Sequence, residues 1–213
     1  MTLLRITEIF YSIQGESSTI GWPTIFIRLT GCPLRCQYCD TAYAFKGGKK
    51  YSFESILQEI QQYQCKRICV TGGEPLAQPA CYPFLSFLAE AGYHVSIETS
   101  GARPIADIDS RIMVVMDLKT PDSLEESKNL YDNIPYLKPQ DQIKFVICSR
   151  ADYDWSKKMI TSLAIPKHVE LLFSPSWGQV KPEELAQWIL EDQLPVRMQI
   201  QLHKILWDDG PGR

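Results

Sequence analysis

Three cysteines near the start of the chain have a spacing that suits an iron–sulfur cluster. Cys32, Cys36 and Cys39 fall within eight residues as C-x₃-C-x₂-C, inside the loop 30–41. Iron–sulfur clusters are held by cysteine thiolates, and a [4Fe–4S] cluster usually has four of them. Three thiolates therefore leave one iron with an open coordination position, where a small molecule can bind and react.

Zinc is the alternative metal for these thiols, because it also binds cysteine. A structural zinc site takes four tetrahedral ligands, often as two closely spaced pairs. No second pair completes such a site. Cys65 and Cys69 are spaced C-x₃-C but lack a loop containing proline and glycine, and Cys69 lies in an apolar run. We therefore interpret residues 30–41 as a cluster loop and keep zinc as the alternative.

A second informative stretch follows a predicted buried strand over 67–71. It reads Gly72-Gly73-Glu74-Pro75. Glycine has no Cβ atom, so a ligand can approach the backbone closely. Alone the stretch is weak evidence, because glycine and proline commonly mark turns. Its meaning depends on what the cysteine loop binds.

The cysteine spacing, with Tyr38 before the last cysteine, resembles the signature of the radical S-adenosylmethionine (SAM) enzymes. The resemblance implies that the open iron binds the amino and carboxylate groups of SAM. Reduction then cleaves the sulfonium to a 5′-deoxyadenosyl radical, with Tyr38 beside the adenine. The segment 72–75 resembles the one that holds the methionine amine. The segment 98–101 resembles a ribose-contacting segment, with a simple turn as the alternative.

The rest of the chain alternates between strand and helix patterns, which predicts a parallel sheet with right-handed crossovers. Residues 43–50 are expected to be a flexible basic loop and 122–141 a surface excursion with a short helix. The chain is shorter than the roughly 250 residues of a full eight-fold barrel. We expect an α/β fold, an incomplete TIM-like barrel of about six parallel strands with few helices. Two predicted strands, 4–14 and 24–29, precede the cysteine loop, and six follow it, at 67–71, 94–99, 111–118, 142–147, 169–173 and 197–202. The predicted helices span 53–60, 79–91, 152–163 and 182–191.

The composition is typical of one soluble globular domain. The 213 residues are 45% hydrophobic and 22% charged, with a net charge of −3. This balance gives no support to nucleic-acid binding, no apolar run reaches membrane-spanning length, and no signal-peptide pattern opens the chain. Seven cysteines without a disulfide pattern favour a reducing compartment. We expect one cytoplasmic domain over 1–213, with the cluster loop 30–41 and a C-terminal segment that caps the substrate.

Four further segments narrow the resemblance: Ile13-Gln14-Gly15-Glu16, Arg28, Asp40-Thr41 and Leu202-His203-Lys204. With the two motifs above, they resemble the 7-carboxy-7-deazaguanine synthase family across essentially the whole chain. The resemblance implies ring contraction of 6-carboxy-5,6,7,8-tetrahydropterin to 7-carboxy-7-deazaguanine with loss of ammonia, on the route to queuosine and other deazapurines. It implies a [4Fe–4S] cluster, catalytically used SAM and Mg²⁺ as cofactors.

The resemblance also implies a role for individual positions. The metal ligands would be Cys32, Cys36 and Cys39 for the cluster and Thr41 for Mg²⁺. The substrate contacts would be Ile13, Gln14, Gly15, Arg28, Thr71 and His203. The SAM contacts would be Tyr38, Gly73, Glu74, Ser100, Asp117, Leu118, Lys119, Phe173, Ser174, Pro175 and Ser176. Structural roles remain the alternative for Arg28 as an edge residue, Thr41 as a loop cap and His203 at a strand end.

Two other functions stay open at this point. A glycyl-radical activating enzyme has a similar size and cysteine spacing, but it needs a broad docking surface for a protein substrate, whereas Gln14, Glu16 and Arg28 suggest a small polar ligand. A non-enzymatic iron–sulfur or zinc protein would not cleave SAM. The family resemblance implies a pterin substrate, a flavodoxin-type reductant and a homodimer, with no nucleic-acid or membrane partner.

Overall fold

The computed structural model describes residues 2–207 and 212. Its strands form one sheet in the order β3-β1-β2-β4-β5-β6-β7-β8-β9. The strands are β1 (Leu3–Ile13), β2 (Pro23–Leu29), β3 (Lys49–Ser52), β4 (Arg67–Gly72), β5 (His94–Thr99), β6 (Met113–Asp117), β7 (Gln142–Ile147), β8 (Glu170–Pro175) and β9 (Arg197–Met198). The helices are α1 (Phe53–Ile60), α2 (Cys81–Glu90), α3 (Arg150–Ser162), α4 (Pro182–Glu191) and α5 (Leu202–Trp207).

The sheet is parallel from β2 through β9, and β1 pairs antiparallel with β2 and β3. In the described residues the order is linear, so β3 and β9 lie at opposite ends of the sheet. In a parallel sheet, the loops that leave the strands all lie at the carboxyl ends of the strands, along one edge of the sheet. The predicted incomplete barrel with few helices is confirmed.

The core lies between the sheet and the first four helices, and it fixes where the loops emerge. In α1, Ile56 and Ile60 are fully buried at helical spacing. The helix begins at Ser52, whose hydroxyl accepts a hydrogen bond from the Ser55 amide at 3.2 Å. Ser149 caps α3 in the same way through the Asp152 amide. These caps fix the positions at which the helices begin, and they therefore help to hold the preceding strand ends and loops in place.

Two sequence expectations were wrong in detail, and a third takes a more specific form. Residues 43–50 are largely ordered, because a 3₁₀ helix over Ala42–Phe45 and the short strand β3 occupy most of them. The short helix expected in the excursion 122–141 takes the form of 3₁₀ helices, at Glu126–Lys128 and Tyr131–Tyr136. The strand expected over 197–202 ends at Met198, since β9 pairs with β8 at only two positions, and His203 lies in α5.

No helix in the described part of the chain is long and apolar enough to cross a membrane.

Candidate active site

A polar cavity of about 570 Å³ opens at the carboxyl ends of the parallel strands. It is lined by the cluster loop after β2, the glycines after β4, the ends of β5, β6 and β7, and the start of α5. Parallel sheets commonly bind ligands at this edge. Of the predicted site residues, the cavity wall includes Ile13, Gln14, Gly15, Arg28, Cys32, Cys36, Tyr38, Cys39, Thr41, Thr71, Gly73, Ser100, Asp117, Lys119, Ser176 and His203.

The three cysteines are half-buried, reduced and on this wall. The loop is shaped by backbone contacts: the Cys39 amide donates to the Cys36 carbonyl at 3.2 Å, and the Leu34 amide donates to the Cys32 sulfur at 3.4 Å. Burial raises the pKa of the Cys36 thiol to about 11. A thiol of that pKa is a poor free nucleophile but ligates metal as a thiolate, because a bound cation displaces the proton.

The arrangement of donors fits a cluster better than a single ion. Among the described residues, no three His, Cys, Asp or Glu side chains are grouped as one metal ion would require. The three thiols instead share one cavity with Tyr38 and the glycine segment after β4. Three cysteine sulfurs spaced along one loop suit an iron–sulfur cluster, in which each sulfur can bind a different iron.

Gly73 brings the backbone after β4 against the cluster loop. Its amide donates to the Leu29 carbonyl at 3.2 Å, and the next amide, of Glu74, donates to the Gly31 carbonyl at 2.8 Å. A Cβ atom at position 73 would collide with that carbonyl and would lie 2.7 Å from the Cβ atom of Cys32. Only glycine allows this approach.

Glu74 is fully buried and holds two strand ends together. Its carboxylate accepts hydrogen bonds from the Leu76 amide (2.9 Å), the Thr99 hydroxyl (2.9 Å), and the Ser100 amide and hydroxyl (2.7 and 2.5 Å). It is absent from the cavity wall, whereas Ser100 lines it. Glu74 therefore positions Ser100 in this structure, and its predicted direct contact with SAM stays a prediction.

Lys119 and Asp117 form a buried ion pair beside Tyr38. The Lys119 ammonium lies 3.0 Å from the Asp117 carboxylate, 3.5 Å from the Tyr38 hydroxyl and 5.5 Å from the centre of its ring. Burial alone would lower the pKa of Lys119, but Asp117, Tyr38 and Cys36 together outweigh burial and raise it. One Asp117 oxygen is buried without a partner among the described groups, so it can accept a hydrogen bond from a ligand in the cavity.

A second buried ion pair joins β7 to the loop after β1, and the segment that leads into α5 contacts the same loop. The Lys144 ammonium lies 2.5 Å from Glu16, and the Gln201 amide donates to the other Glu16 oxygen at 2.9 Å. The Leu202 amide donates to the Gly15 carbonyl, and the His203 ring packs so tightly on Gly15 that a Cβ atom there would collide with it. Lys204 pairs with Asp40 of the cluster loop at 3.2 Å. The start of α5 thus contacts both loops.

We expect loss of the Glu16–Lys144 ion pair to lower the free energy of unfolding strongly. Burial would raise the pKa of Glu16, but Lys144, with smaller contributions from Gln201 and His203, outweighs burial and lowers that pKa from 4.5 to about 2. Replacing one partner leaves a buried unpaired charge, which typically costs about 3–5 kcal/mol. In urea unfolding of the metal-free chain, Lys144→Met should lose about this much, and Lys144→Met with Glu16→Met should recover most of it.

The pair's pH dependence follows from the direction of the shift. Because the folded-state pKa of Glu16 is depressed, its stabilisation is complete above pH 4.5 and is lost as the pH falls toward 2. The difference in unfolding free energy between the wild type and Glu16→Gln should therefore shrink over that range. A difference that stays constant would contradict the assignment of the shift to this pair.

Arg28 reaches the cavity from β2, held by two neighbours. Its Nε atom donates to Glu8 at 2.7 Å, and the Tyr43 hydroxyl donates to the same carboxylate oxygen at 2.7 Å. Burial would lower the pKa of Arg28, but Tyr43 and Glu8 outweigh it and raise the pKa. Within the described residues, its two terminal nitrogens have no hydrogen-bond partner. A planar guanidinium presented in this way suits a carboxylate.

Three polar groups form another part of the wall: Gln14, directly after β1, and Thr71 and Glu98 on the neighbouring strands β4 and β5. The Gln14 amide donates to Glu98 at 3.3 Å, and the Thr71 hydroxyl donates to the other Glu98 oxygen at 3.4 Å. Glu98 was missed as a candidate substrate-facing group, because its segment suggested only a ribose contact. The available signal was its position as the only acidic residue of β5, one residue before the strand ends.

The remaining SAM candidates lie behind the wall. Leu118 and Phe173 are fully buried in the core, and Ser174 and Pro175 are buried at the end of β8. None of the four lines the cavity. Their assignment stays a prediction, and contact by Leu118 or Phe173 would have to use the backbone.

Comparison with known proteins identifies the superfamily. The sequence profile of the Radical SAM superfamily matches residues 26–161, which include the cluster loop and β4 through β7. The crystal structure of QueE from Escherichia coli superposes with a TM-score of 0.79, covering 94% of this chain and 95% of that one at 23% identity. At that identity the superposition establishes the fold.

Curated sequences establish the family within it. The chain is 42% identical to the 7-carboxy-7-deazaguanine synthase of Koribacter versatilis, covering 96% of this chain and 97% of the relative. It is 41% identical to the enzyme of that name from Chlorobaculum tepidum, covering 96% and 94%. The chain therefore belongs to the 7-carboxy-7-deazaguanine synthase family of radical SAM enzymes.

Proposed function

We propose that the protein converts 6-carboxy-5,6,7,8-tetrahydropterin to 7-carboxy-7-deazaguanine, a ring contraction that releases ammonia. Family membership supports the reaction. The observation that carries it is one cavity lined both by the three thiols and by a guanidinium, an amide and a carboxylate able to hold a polar heterocycle: Arg28, Gln14 and Glu98.

Cys32, Cys36 and Cys39 would hold the [4Fe–4S] cluster, which when bound supplies an iron with an open position and the electron for SAM cleavage. The neighbouring wall would bind SAM. Gly73 offers backbone without a side chain, Tyr38 offers a ring face, and Asp117 offers an unpartnered carboxylate oxygen. Ser100, Ser176 and Lys119 complete this part of the wall.

The pterin would lie on the side of Gln14, Arg28 and Thr71. Arg28 would bind its carboxylate, while the carboxylate of Glu98 would accept hydrogen bonds from ring N–H groups. Thr41 lines the same cavity, and its hydroxyl is a chemically suitable Mg²⁺ ligand together with a substrate carboxylate. Ile13, Gly15 and His203 would close the pocket around the ring.

We further propose that the chain acts as a single domain whose C-terminal segment caps the substrate. The contacts of Gln201, Leu202 and Lys204 with the two loops support this role, because they would exclude water from the cavity. The last residues of the predicted capping segment, 208–211 and 213, lie outside the described residues. A cytoplasmic location, a homodimer and a flavodoxin-type reductant belong to the same proposal.

A glycyl-radical activating role is not favoured. That activity requires a protein backbone to enter the site, whereas the start of α5 lines the cavity and the wall carries buried charged groups suited to a small polar ligand.

The direct test is an anaerobic assay of cluster-reconstituted protein with reductant, SAM, Mg²⁺ and 6-carboxytetrahydropterin, read by mass spectrometry. We expect 7-carboxy-7-deazaguanine to form. Deoxyadenosine without this product would leave the radical SAM assignment and overturn the substrate. If a verified [4Fe–4S] protein forms neither compound, the proposed activity is wrong.

In this assay, Arg28→Lys should distinguish the effect of the positive charge from that of the planar guanidinium. Lysine keeps the positive charge but loses the planar pair of donors. A hydrogen bond to a charged group contributes about 1.5–3 kcal/mol, so we expect KM for the pterin to rise about tenfold or more while KM for SAM changes little. Equal changes in both constants would contradict a specific contact with the pterin.

A further inference from the structure

The carboxylate of Glu8 contacts two side chains that line the cavity without lining it itself. Its Oε1 atom accepts a hydrogen bond from the Arg28 Nε atom at 2.7 Å and a second one from the Tyr43 hydroxyl, also at 2.7 Å. Arg28 and Tyr43 belong to the cavity wall, and Glu8 does not. Glu8 can therefore act on a bound ligand only through these two neighbours.

An irregularity in β1 brings Glu8 to this place. Ile6 of β1 lies opposite Leu29, and two residues further on Glu8 lies opposite Arg28, so that two steps along β1 match one step along β2. Alternate residues of a regular strand point to the same face of the sheet, and Glu8 would then follow Ile6 into the core. A β-bulge redirects the side chains that follow it. Glu8 thus shares its face with Phe10, which lines the cavity.

The guanidinium of Arg28 is held on three sides. Glu8 binds its Nε atom, and the ring centres of Phe10 and Tyr43 lie 5.7 and 6.0 Å from its central carbon. The two terminal nitrogens remain for a ligand, and they form the parallel pair of donors that a carboxylate accepts. Because the guanidinium is planar, the contact at Nε determines the direction in which this pair points.

The second hydrogen bond of Glu8 reaches the segment that follows the cluster loop. Tyr43 belongs to the 3₁₀ helix Ala42–Phe45, which begins directly after Thr41. Burial raises the pKa of Tyr43 to about 12, with Arg28 opposing the shift and Glu8 adding to it, so the hydroxyl keeps its proton and donates. Arg28 and the proposed Mg²⁺ ligand Thr41 would bind the same substrate carboxylate. One oxygen atom of Glu8 therefore connects the two groups expected to receive it.

Neutralisation of charge is the simpler role for Glu8. A largely buried guanidinium needs an opposing charge, but that need does not explain the shared oxygen atom or the uncharged donor Tyr43. The two roles predict opposite effects on an anionic ligand. Without a carboxylate that only neutralises, Arg28 would attract an anion more strongly. Without a carboxylate that positions, the guanidinium could turn away from the ligand and would bind it less tightly.

We propose that Glu8 is a positioning residue, which together with Tyr43 fixes Arg28 and the segment after Thr41, so that the cavity selects a pterin that carries a carboxylate. The inference rests on the proposed function. Glu8 takes no part in bond making or breaking, and its effect is to hold the donors in place before the ligand arrives. Such preorganisation increases affinity because less conformational freedom is lost on binding.

The test compares the binding of two unreactive ligands, 6-carboxypterin and pterin, by isothermal titration calorimetry. Each ligand is titrated anaerobically into cluster-loaded protein with SAM and Mg²⁺ but without reductant, so that SAM stays intact. Glu8→Ala removes the charge and both hydrogen bonds. Glu8→Gln removes the charge but keeps an oxygen atom that can accept both hydrogen bonds. Tyr43→Phe removes one hydrogen bond and no charge.

Two controls match these substitutions away from the cavity. Glu170→Ala removes a carboxylate from another cross-strand ion pair, in which Arg197 lies 3.4 Å away. Tyr82→Phe removes a hydroxyl that donates to the Pro104 carbonyl at 2.7 Å. Neither Glu170 nor Tyr82 lines the candidate active site. Both control variants should bind the two ligands as the wild type does.

We expect the wild type to bind 6-carboxypterin more tightly than pterin. This preference should fall about tenfold in Glu8→Ala and about threefold in Tyr43→Phe, because hydrogen bonds to charged groups are lost. Glu8→Gln should keep most of the preference, and the affinity for pterin should stay within about twofold of wild type in every variant. Tighter binding of 6-carboxypterin by Glu8→Ala would indicate neutralisation alone and overturn the proposal. Equal weakening of both ligands would also overturn it.

The same measurements separate this inference from the proposed function. A wild type that binds both ligands equally would contradict the carboxylate contact of Arg28 and therefore the proposed substrate. A wild type that prefers 6-carboxypterin, with the same preference in Glu8→Ala and Tyr43→Phe, would overturn only the positioning role. If Glu8→Ala does not fold, Tyr43→Phe decides, because it keeps every charge and an unchanged preference there would overturn the proposal.

Discussion

Cys36→Ala is expected to abolish formation of 7-carboxy-7-deazaguanine. Cys36 is one of three thiols on the cavity wall, flanked by the exposed residues Arg35 and Gln37. With one of three ligands missing, the loop can no longer hold the cluster firmly, and without the cluster SAM is not cleaved. The reconstituted variant should lack the iron content and visible absorbance of the wild type and should yield no deoxyadenosine.

Cys65→Ala is the matched control. Cys65 is also half-buried, but its sulfur contacts the carbonyls of Pro23 and Arg67. These residues lie at the amino ends of β2 and β4, whereas the cavity lies at the carboxyl ends. This variant should keep its iron, its absorbance and its activity. Full iron content in Cys36→Ala, or loss of iron in Cys65→Ala, would contradict the assignment of the cluster to the loop 30–41.

The sequence was most informative where function depends on neighbours along the chain. The cluster loop is a local motif, so its candidate ligands could be proposed from spacing alone. Strands such as β5 and helices such as α4 were predicted with correct bounds, because their apolar periodicity and end signals are also local.

Contacts between distant residues could not be read in this way. Glu16 and Lys144 are 128 positions apart, and nothing in either segment indicates the partner. Glu74 was expected to face SAM because of its motif, yet its carboxylate holds the end of β5. Four hydrogen-bond donors satisfy this buried carboxylate, so its burial does not require a ligand. Only the folded sheet brings those donors together.

The C-terminal segment was mispredicted because its local pattern favoured a strand, whereas pairing with β8 ends at Met198. The Gln199 side chain accepts a hydrogen bond from the Ser17 amide, in the loop after β1, at 2.8 Å. The chain then forms α5, whose start lines the cavity. Tertiary contacts outweighed β propensity at the edge of the sheet.

Gly73→Ala should also cause a large loss, and for a reason separate from ligand chemistry. The backbone of Gly73 is not left-handed, so alanine can adopt it without conformational strain. Any effect must come from the added methyl group, which would collide with the Gly31 carbonyl and approach Cys32. Backbone atoms cannot rotate away as a side chain can, so the cluster loop must shift.

A displacement of about 1 Å at a reacting centre can cost about 100-fold in rate. We therefore expect product formation by Gly73→Ala to fall by at least about that factor. We also expect this variant to lose more of its iron–sulfur cluster than the wild type during gel filtration. Gly92→Ala is the control, because its backbone is left-handed with open space around it. That variant should lose stability through backbone strain but keep its cluster. If both variants lost activity in proportion to stability, general destabilisation would explain the result. A loss of both activity and cluster retention confined to Gly73→Ala would show that close packing of two backbones holds the cysteines in place, because a methyl group that only blocked SAM would leave the cluster bound.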